Sequence, residues 1–225
     1  MIPEILYEDN HLIVVNKPAG MLVQGDQTGD TPLVDILKTH IKEKYHKPGK
    51  VFLGVIHRLD RPTSGVVVMA RTSKALQRMN QLFADRKVEK LYWALIPKGL
   101  QETTLRLEHW LVRNPQKNKS FAYDQERLQS KKAILTATQR YQLDRFSLVE
   151  IQLETGRHHQ IRSQLSKIGF PIKGDLKYGA PRSNPNGNID LHARKLSFVH
   201  PVSKEKLAFT ASVPNTPLWL AVPSD

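Results

Sequence analysis

Apolar and polar positions alternate cleanly across Arg145–Glu154, where Val149, Ile151 and Leu153 face one way and Glu150, Gln152 and Glu154 the other. A period of two predicts a half-buried antiparallel strand. Val66–Ala70 is an unbroken apolar run and reads as a buried strand, and Lys90–Ile96 predicts another, with Tyr92 pointing opposite to Leu91 and Trp93. Ile5–Tyr7 and His11–Val15 form two short strands around an Asp9-Asn10 turn. Asn16–Gly20 then punctuates the chain and turns it back toward the sheet.

Helical spacing occurs in three places. Leu33, Ile36, Leu37 and Ile41 predict a helix over Pro32–Tyr45, with the Thr31 hydroxyl as N-cap, Pro32 at the first position and Lys38, Lys42 and Lys44 on a solvated face. Leu76, Met79, Leu82 and Phe83 predict a second, capped by Thr72 or Ser73 and ending near Arg86-Lys87. Ile161, Leu165 and Ile168 predict a third that starts after Thr155-Gly156 and is closed by Gly169. Leu196, Phe198 and Leu207–Phe209 fit two closing strands. From Gln101 to Arg145 the periodicity weakens. Nine basic residues there are interleaved with Trp110, Phe121 and Tyr123. That mixture suits base stacking with phosphate contacts, and equally a hairpin with a solvated outer face. The order of elements gives an α+β fold with a largely antiparallel sheet and helices packed on it. No linker or internal repeat divides the 225 residues, so a single domain over 1–225 is expected.

Charge narrows the partners. The 34 basic residues outnumber the 21 acidic ones, a net +13, which favours a polyanion. The chain has no cysteine, which excludes disulfides, thiolate metal sites and cysteine nucleophiles. No apolar run reaches bilayer-spanning length and the start lacks a signal-peptide layout, so a cytoplasmic protein with no membrane partner is expected. Phosphate-loop and dinucleotide patterns are absent, and the adjacent His158 and His159 diverge if they lie on a helix, so neither cofactor nor metal is expected.

One stretch concentrates chemistry. His57-Arg58-Leu59-Asp60-Arg61-Pro62-Thr63-Ser64-Gly65 sets a carboxylate between two arginines on a turn that leads into the Val66–Ala70 strand. Alone it would read as a surface ion pair. The string resembles the signature of the RluA-type pseudouridine synthases, in which the aspartate is the catalytic residue. Lys17-Pro18-x-Gly20, Lys90-x-Tyr92-x-Ala94 and Thr155-Gly156-Arg157-x-His159-Gln160-Ile161-Arg162 continue the resemblance, as do Gly174-Asp175-x-x-Tyr178-Gly179 and Leu191-His192-Ala193. It extends over essentially the whole chain.

The resemblance implies a pseudouridine synthase fold, a mixed and largely antiparallel sheet with a catalytic cleft across its middle. It also implies an RNA isomerase acting on ribosomal RNA or tRNA, without cofactor, metal or DNA partner. Asp60 would be nucleophile or base, Tyr92 would pack its ring on the target base and relay a proton, and Arg162 would pair with the aspartate. Arg58, Arg61, Thr63, His159, Gln160 and Leu191 are the candidate substrate contacts. An S4-type RNA-binding extension, common among relatives, is not expected here, and a monomer is. Two other classes compete: a non-catalytic RNA-binding or RNA-folding protein of the same fold, and an N-glycosidic hydrolase. A hydrolase generally needs two carboxylates, and the Asp60 motif supplies one.

Overall fold

The computed structural model describes residues 2–100 and 102–223. In chain order its elements are β1 (Glu4–Glu8), β2 (Leu12–Lys17), α1 (Leu33–Lys44), β3 (Gly54–Val55), β4 (Ser64–Ala70), α2 (Ser73–Ala84) and β5 (Glu89–Pro97). There follow β6 (Thr104–Asn114), β7 (Lys119–Tyr123), β8 (Lys131–Gln142), β9 (Phe146–Leu153), α3 (Gln160–Lys167), β10 (Leu191–Val199), β11 (Lys206–Thr210) and α4 (Pro217–Leu220). The chain divides into two compact units, one up to Glu89 together with Ala193–Val213, the other Lys90–His192 together with the segment from Pro214 onward.

In the first unit β1 pairs antiparallel with β2, and β2 with β4, in a register that sets Val14 opposite Val68 and Lys17 opposite Gly65. β3 pairs with the far end of β4, and β10 with β11. Every residue of β4 is buried, as an uninterrupted apolar run demands. Leu12, Val14, Val66 and Val68 pack with Ala75 and Met79 of α2 and with Leu196, Phe198 and Phe209 of the closing strands. The Thr72 hydroxyl caps α2 by accepting from the Ala75 N–H at 3.1 Å, the cap that the sequence predicts.

α1 differs at its start. Pro32 is itself the N-cap residue and Thr31 makes no cap bond. The first helical N–H groups, of Leu33 and Val34, donate instead to the carbonyls of Leu22 and Val23 at 2.7 and 3.2 Å. The Asn16–Gly20 turn leads into this 22–23 segment and then α1, not back into a strand. Neighbouring backbone satisfies the helix end, so a hydroxyl is not required there.

The second unit is an antiparallel sheet in the order β5-β9-β8-β6-β7. Ala94, Ile96, Val149, Ile151, Leu135, Ala137 and Leu107 line one face and are covered by Ile161 and Leu165 of α3. The weakly periodic 101–145 region forms β6, β7 and β8, so it is a hairpin-based sheet with Trp110 opposite Tyr123 and Val112 opposite Phe121. Part of its charge is neutralised locally. Arg106 and Lys132 both meet Glu108, at 3.1 and 2.5 Å, and Arg106 also meets Glu154 at 3.4 Å. α4, a single turn too short to leave a periodic trace, is anchored by buried Trp219, whose Nε1 donates to Asp190 at 3.0 Å.

Gly65 marks where β4 must begin. Its φ is +117°, and a Cβ there would lie 2.3 Å from the Ala193 carbonyl oxygen and 2.5 Å from the Ala193 nitrogen. Backbone on both counts, these atoms cannot swing away as a side chain can. Gly65→Ala is therefore expected to destabilise the protein by about 3 kcal/mol or more, from backbone strain plus overpacking. Denaturant unfolding measures it, with Gly29→Ala, where nothing lies within 4 Å, as the comparison for positive φ alone.

Candidate active site

The Asp60 motif occupies the turn between β3 and β4. Leu59 is buried and anchors it, while Arg58 and Arg61 are exposed on either side of a half-buried Asp60. The Thr63 N–H donates to the Asp60 carbonyl at 3.0 Å and closes the turn. His57 braces its approach, with Nε2 accepting the Val68 N–H at 3.1 Å and the ring stacked on Phe83 at 4.9 Å. Arg61 is already engaged, donating from Nε to the Gly20 carbonyl and from Nη2 to Asp30 at 2.6 Å. The Thr63 side chain is buried, and its hydroxyl has no hydrogen-bond partner among the described residues.

Beneath the turn lies Lys17, fully buried. Its register opposite Gly65 carries the side chain under the next turn, where Nζ donates to the carbonyls of Pro18, Met21 and Arg61 at 3.0, 2.8 and 3.3 Å. The Gly20 N–H donates to the same Arg61 carbonyl at 2.7 Å. One ammonium thus ties the 17–21 turn to the 60–61 turn. Burial pushes its pKa down to about 7, the Asp60 carboxylate pulls it back up, and the Arg61 charge lowers it further.

In the second unit Tyr92 lies half-buried on β5 against the same apolar cluster as Ala94 and Ile96. Trp93 points the other way and donates from Nε1 to Glu150 at 3.1 Å. Arg162 is buried on α3, and its guanidinium grips Asp175 with two bonds, Nε to Oδ2 at 2.7 Å and Nη2 to Oδ1 at 2.8 Å. Nη1 lies 3.1 Å from His159 Nε2, and the guanidinium carbon sits 4.9 Å from the centre of the Tyr178 ring.

The two histidines do not lie on a helix. They precede α3, His159 is the N-cap residue with φ +51°, and the rings stack at 3.8 Å. The expectation that they diverge is corrected by that left-handed residue, which breaks the helical path. Gln160 is buried and acts as a brace. Its Oε1 accepts from the Thr155 hydroxyl at 2.8 Å and the Arg157 N–H at 2.9 Å, and its Nε2 donates to the Ile134 carbonyl at 3.0 Å. Leu191, buried at the start of β10, belongs to the same apolar cluster as Ile161 and Leu165. Among the described residues no group of three or more His, Asp or Glu side chains is placed to hold a metal ion, and no helix is long and apolar enough to cross a membrane.

A family model described as RNA pseudouridylate synthase matches residues 11–167, a span that takes in both the Asp60 turn and α3 through Lys167. The chain belongs to this family. Relatives of this RNA pseudouridylate synthase family member include the ribosomal large subunit pseudouridine synthase D of Zymomonas mobilis, 34% identical over 94% of the chain and 69% of the relative. The tRNA pseudouridine synthase C of Vibrio parahaemolyticus is 31% identical over 95% of the chain and 91% of the relative. An uncharacterized RNA pseudouridine synthase of Synechocystis is 34% identical over 94% of the chain, which spans only 65% of that relative's length. Among solved structures, human RNA pseudouridylate synthase domain containing 4 superimposes with a TM-score of 0.79 at 26% identity, over 96% of this chain and 90% of that one. The fold is that of the pseudouridine synthases.

In the sequence Lys17, Asp175 and Tyr178 stand only as members of motifs, with nothing local to mark what they do. A signal existed for Asp175. A buried arginine requires a buried counter-charge, and Asp175 is the acid within the motif that follows α3.

The Lys17 amine supplies a pH test with a definite sign. Below pH 7 it is charged in both folded and unfolded chains, and the cost of burying that charge counts in full. Between about 7 and the ordinary 10.5 the unfolded chain holds one proton more, so rising pH favours the folded state. The unfolding free energy of the natural protein minus that of Lys17→Met is therefore expected to rise by about 1.4 kcal/mol per pH unit from pH 7 to 10. Denaturant titrations of both proteins across that range check it.

Proposed function

We propose that this chain isomerises uridine to pseudouridine in structured RNA, ribosomal RNA or tRNA. The N1–C1′ bond breaks, the uracil turns, C5 bonds to C1′, the C5 hydrogen leaves to solvent and N1 takes up a proton. The observation that carries the reading is the family match running through an aspartate held on a braced turn between two exposed arginines. In this reading Asp60 is the nucleophile at C1′ or the base at C2′. Tyr92 supplies the ring against the base and Arg162 the guanidinium that supports the carboxylate. Arg58, exposed two residues before the acid, holds a phosphate or the opened RNA.

The reaction is redox-neutral and transfers no group from outside, so the side chains named are chemically sufficient. Extruding the uridine costs a few kcal/mol in a stacked helix and less in a loop. The +13 charge provides general attraction to the phosphates. That the relatives named above act on ribosomal RNA in one case and tRNA in the other supports RNA as the substrate class. We read the chain as a monomeric cytoplasmic enzyme working through these residues as one catalytic domain.

Tritium release from unmodified ribosomal RNA and tRNA transcripts labelled at uracil C5 tests the activity. The natural protein is expected to release tritium, and Asp60→Asn to lose at least roughly 1,000-fold in rate while unfolding at a similar temperature. RNA binding without release would support the RNA-folding alternative. Free uracil in the supernatant would support the hydrolase. Comparing pseudouridine maps of RNA from cells with and without the chain then names the target.

A further inference from the structure

We propose that Asp175 is a positioning residue for the isomerisation, holding the Arg162 guanidinium in a single plane and rotation, with His159 and Tyr178 completing the support. The inference rests on the reading of Arg162 as the guanidinium that serves the reaction.

The geometry is over-determined in a way that simple charge neutralisation does not require. Asp175 is 1% exposed and spends both carboxylate oxygens on one arginine, at 2.7 and 2.8 Å. Two parallel bonds of this kind fix the guanidinium plane. The third bond, from Nη1 to His159 Nε2 at 3.1 Å, fixes its position within that plane. The remaining N–H donors, one on each terminal nitrogen, then have set directions.

The third bond also determines the tautomer of His159. A guanidinium only donates, so Nε2 must accept and the ring proton must sit on Nδ1. Nδ1 lies 2.9 Å from the Tyr178 hydroxyl oxygen, which also accepts the Ser120 N–H at 2.8 Å. His159 thereby presents a lone pair, and no N–H, to the guanidinium. The Tyr178 ring packs beneath the guanidinium carbon at 4.9 Å.

Backbone holds the frame from the other side. The N–H groups of Tyr178 and Ala180 both donate to the Asp175 carbonyl at 3.0 Å, and the Ser166 hydroxyl of α3 donates to the Tyr178 carbonyl at 2.6 Å. His159 accepts a left-handed backbone, φ +51°, in order to sit where it does. Strain of that kind persists where surrounding structure over-determines a side chain's place.

The test compares Asp175→Asn, which removes one acceptor and the charge, with Asp175→Glu, which keeps both. Single-turnover tritium release and RNA affinity are measured on the same labelled transcripts, well below the unfolding temperature of each variant. We expect Asp175→Asn to lose about 10- to 100-fold in rate with RNA affinity unchanged within about twofold, and Asp175→Glu to recover at least about fivefold over Asn. A merely structural role would not produce that split between rate and affinity or that rescue. A folded Asp175→Asn with a rate within twofold of the natural protein overturns the proposal. So does a loss that appears only in affinity, or a Glu variant no faster than Asn. If Asp175→Asn does not fold, Asp175→Ser takes its place in the same comparison: a slowed rate at unchanged affinity with a faster Glu variant supports the proposal, and an unslowed rate overturns it. Failure of both Asp175→Asn and Asp175→Ser to fold makes Asp175 purely structural and also overturns it. Absence of release by the natural protein is a different result, seen without any variant, and removes the underlying reading together with this one.

Discussion

A single buried ammonium constrains everything near Asp60. Lys17 reaches three carbonyls, two in its own turn and one at Arg61, and so joins segments far apart in the chain. Taking that charge out of water is costly, and burial has pushed its proton affinity down to the neutral range. A methionine would fill the same volume without that cost. What methionine could not do is satisfy carbonyls that turn inward because two tight turns meet there. The lysine is retained because backbone polar groups pointing into the protein need a donor, and because the nearby carboxylate of Asp60 returns part of the electrostatic loss.

The same register explains why the motif has its spacing. Lys17 is opposite Gly65, and Gly65 is where the Ala193 backbone comes too close for any Cβ. From that fixed point the chain runs back through Ser64 and Thr63 to the turn carrying Asp60, so the acid's place is measured from a sheet position, not from a free loop. Leu59 adds a buried anchor on the other side and His57 a ring packed on Phe83. Under the proposed role, the Asp60 carboxylate has to be held to a fraction of an ångström, and a turn pinned at both ends by strand, glycine and lysine meets that need better than an exposed loop would.

Where periodicity or local composition carried the information, the sequence was a reliable guide. β4, β9, α2 and its Thr72 cap follow from side-chain pattern and one hydroxyl. The Asp60 turn follows from Pro62 and Gly65. What could not be read depends on partners distant in sequence. Thr31 looked like a helix cap because nothing local reveals that the Leu22 and Val23 carbonyls will take the helix N–H groups. The two histidines looked helical because a left-handed residue other than glycine leaves no mark in composition. Along β6 the alternation blurs at a buried histidine, His109, which takes a core-side position by bonding Gln164, and at Trp110 and Val112 on the other face, paired with Tyr123 and Phe121. The motifs named Arg162, but its clasp on Asp175 spans a stretch of chain that no spacing rule covers.

In the proposed reading, attraction to RNA and reaction with RNA are carried by different charges. Surplus lysines and arginines attract any polyanion, with an affinity that falls steeply as salt releases its hold on the phosphates. Some of them are cancelled locally, as around Glu108, and contribute little beyond solvation. Arg162 lies at the other extreme, buried with its own acid, so it adds almost nothing to the long-range field while having a fixed orientation. Net charge can therefore bring many RNAs to the surface without distinguishing them. Discrimination has to come at short range, from side chains with fixed directions that read bases and shape, because phosphate charge is the same at every position.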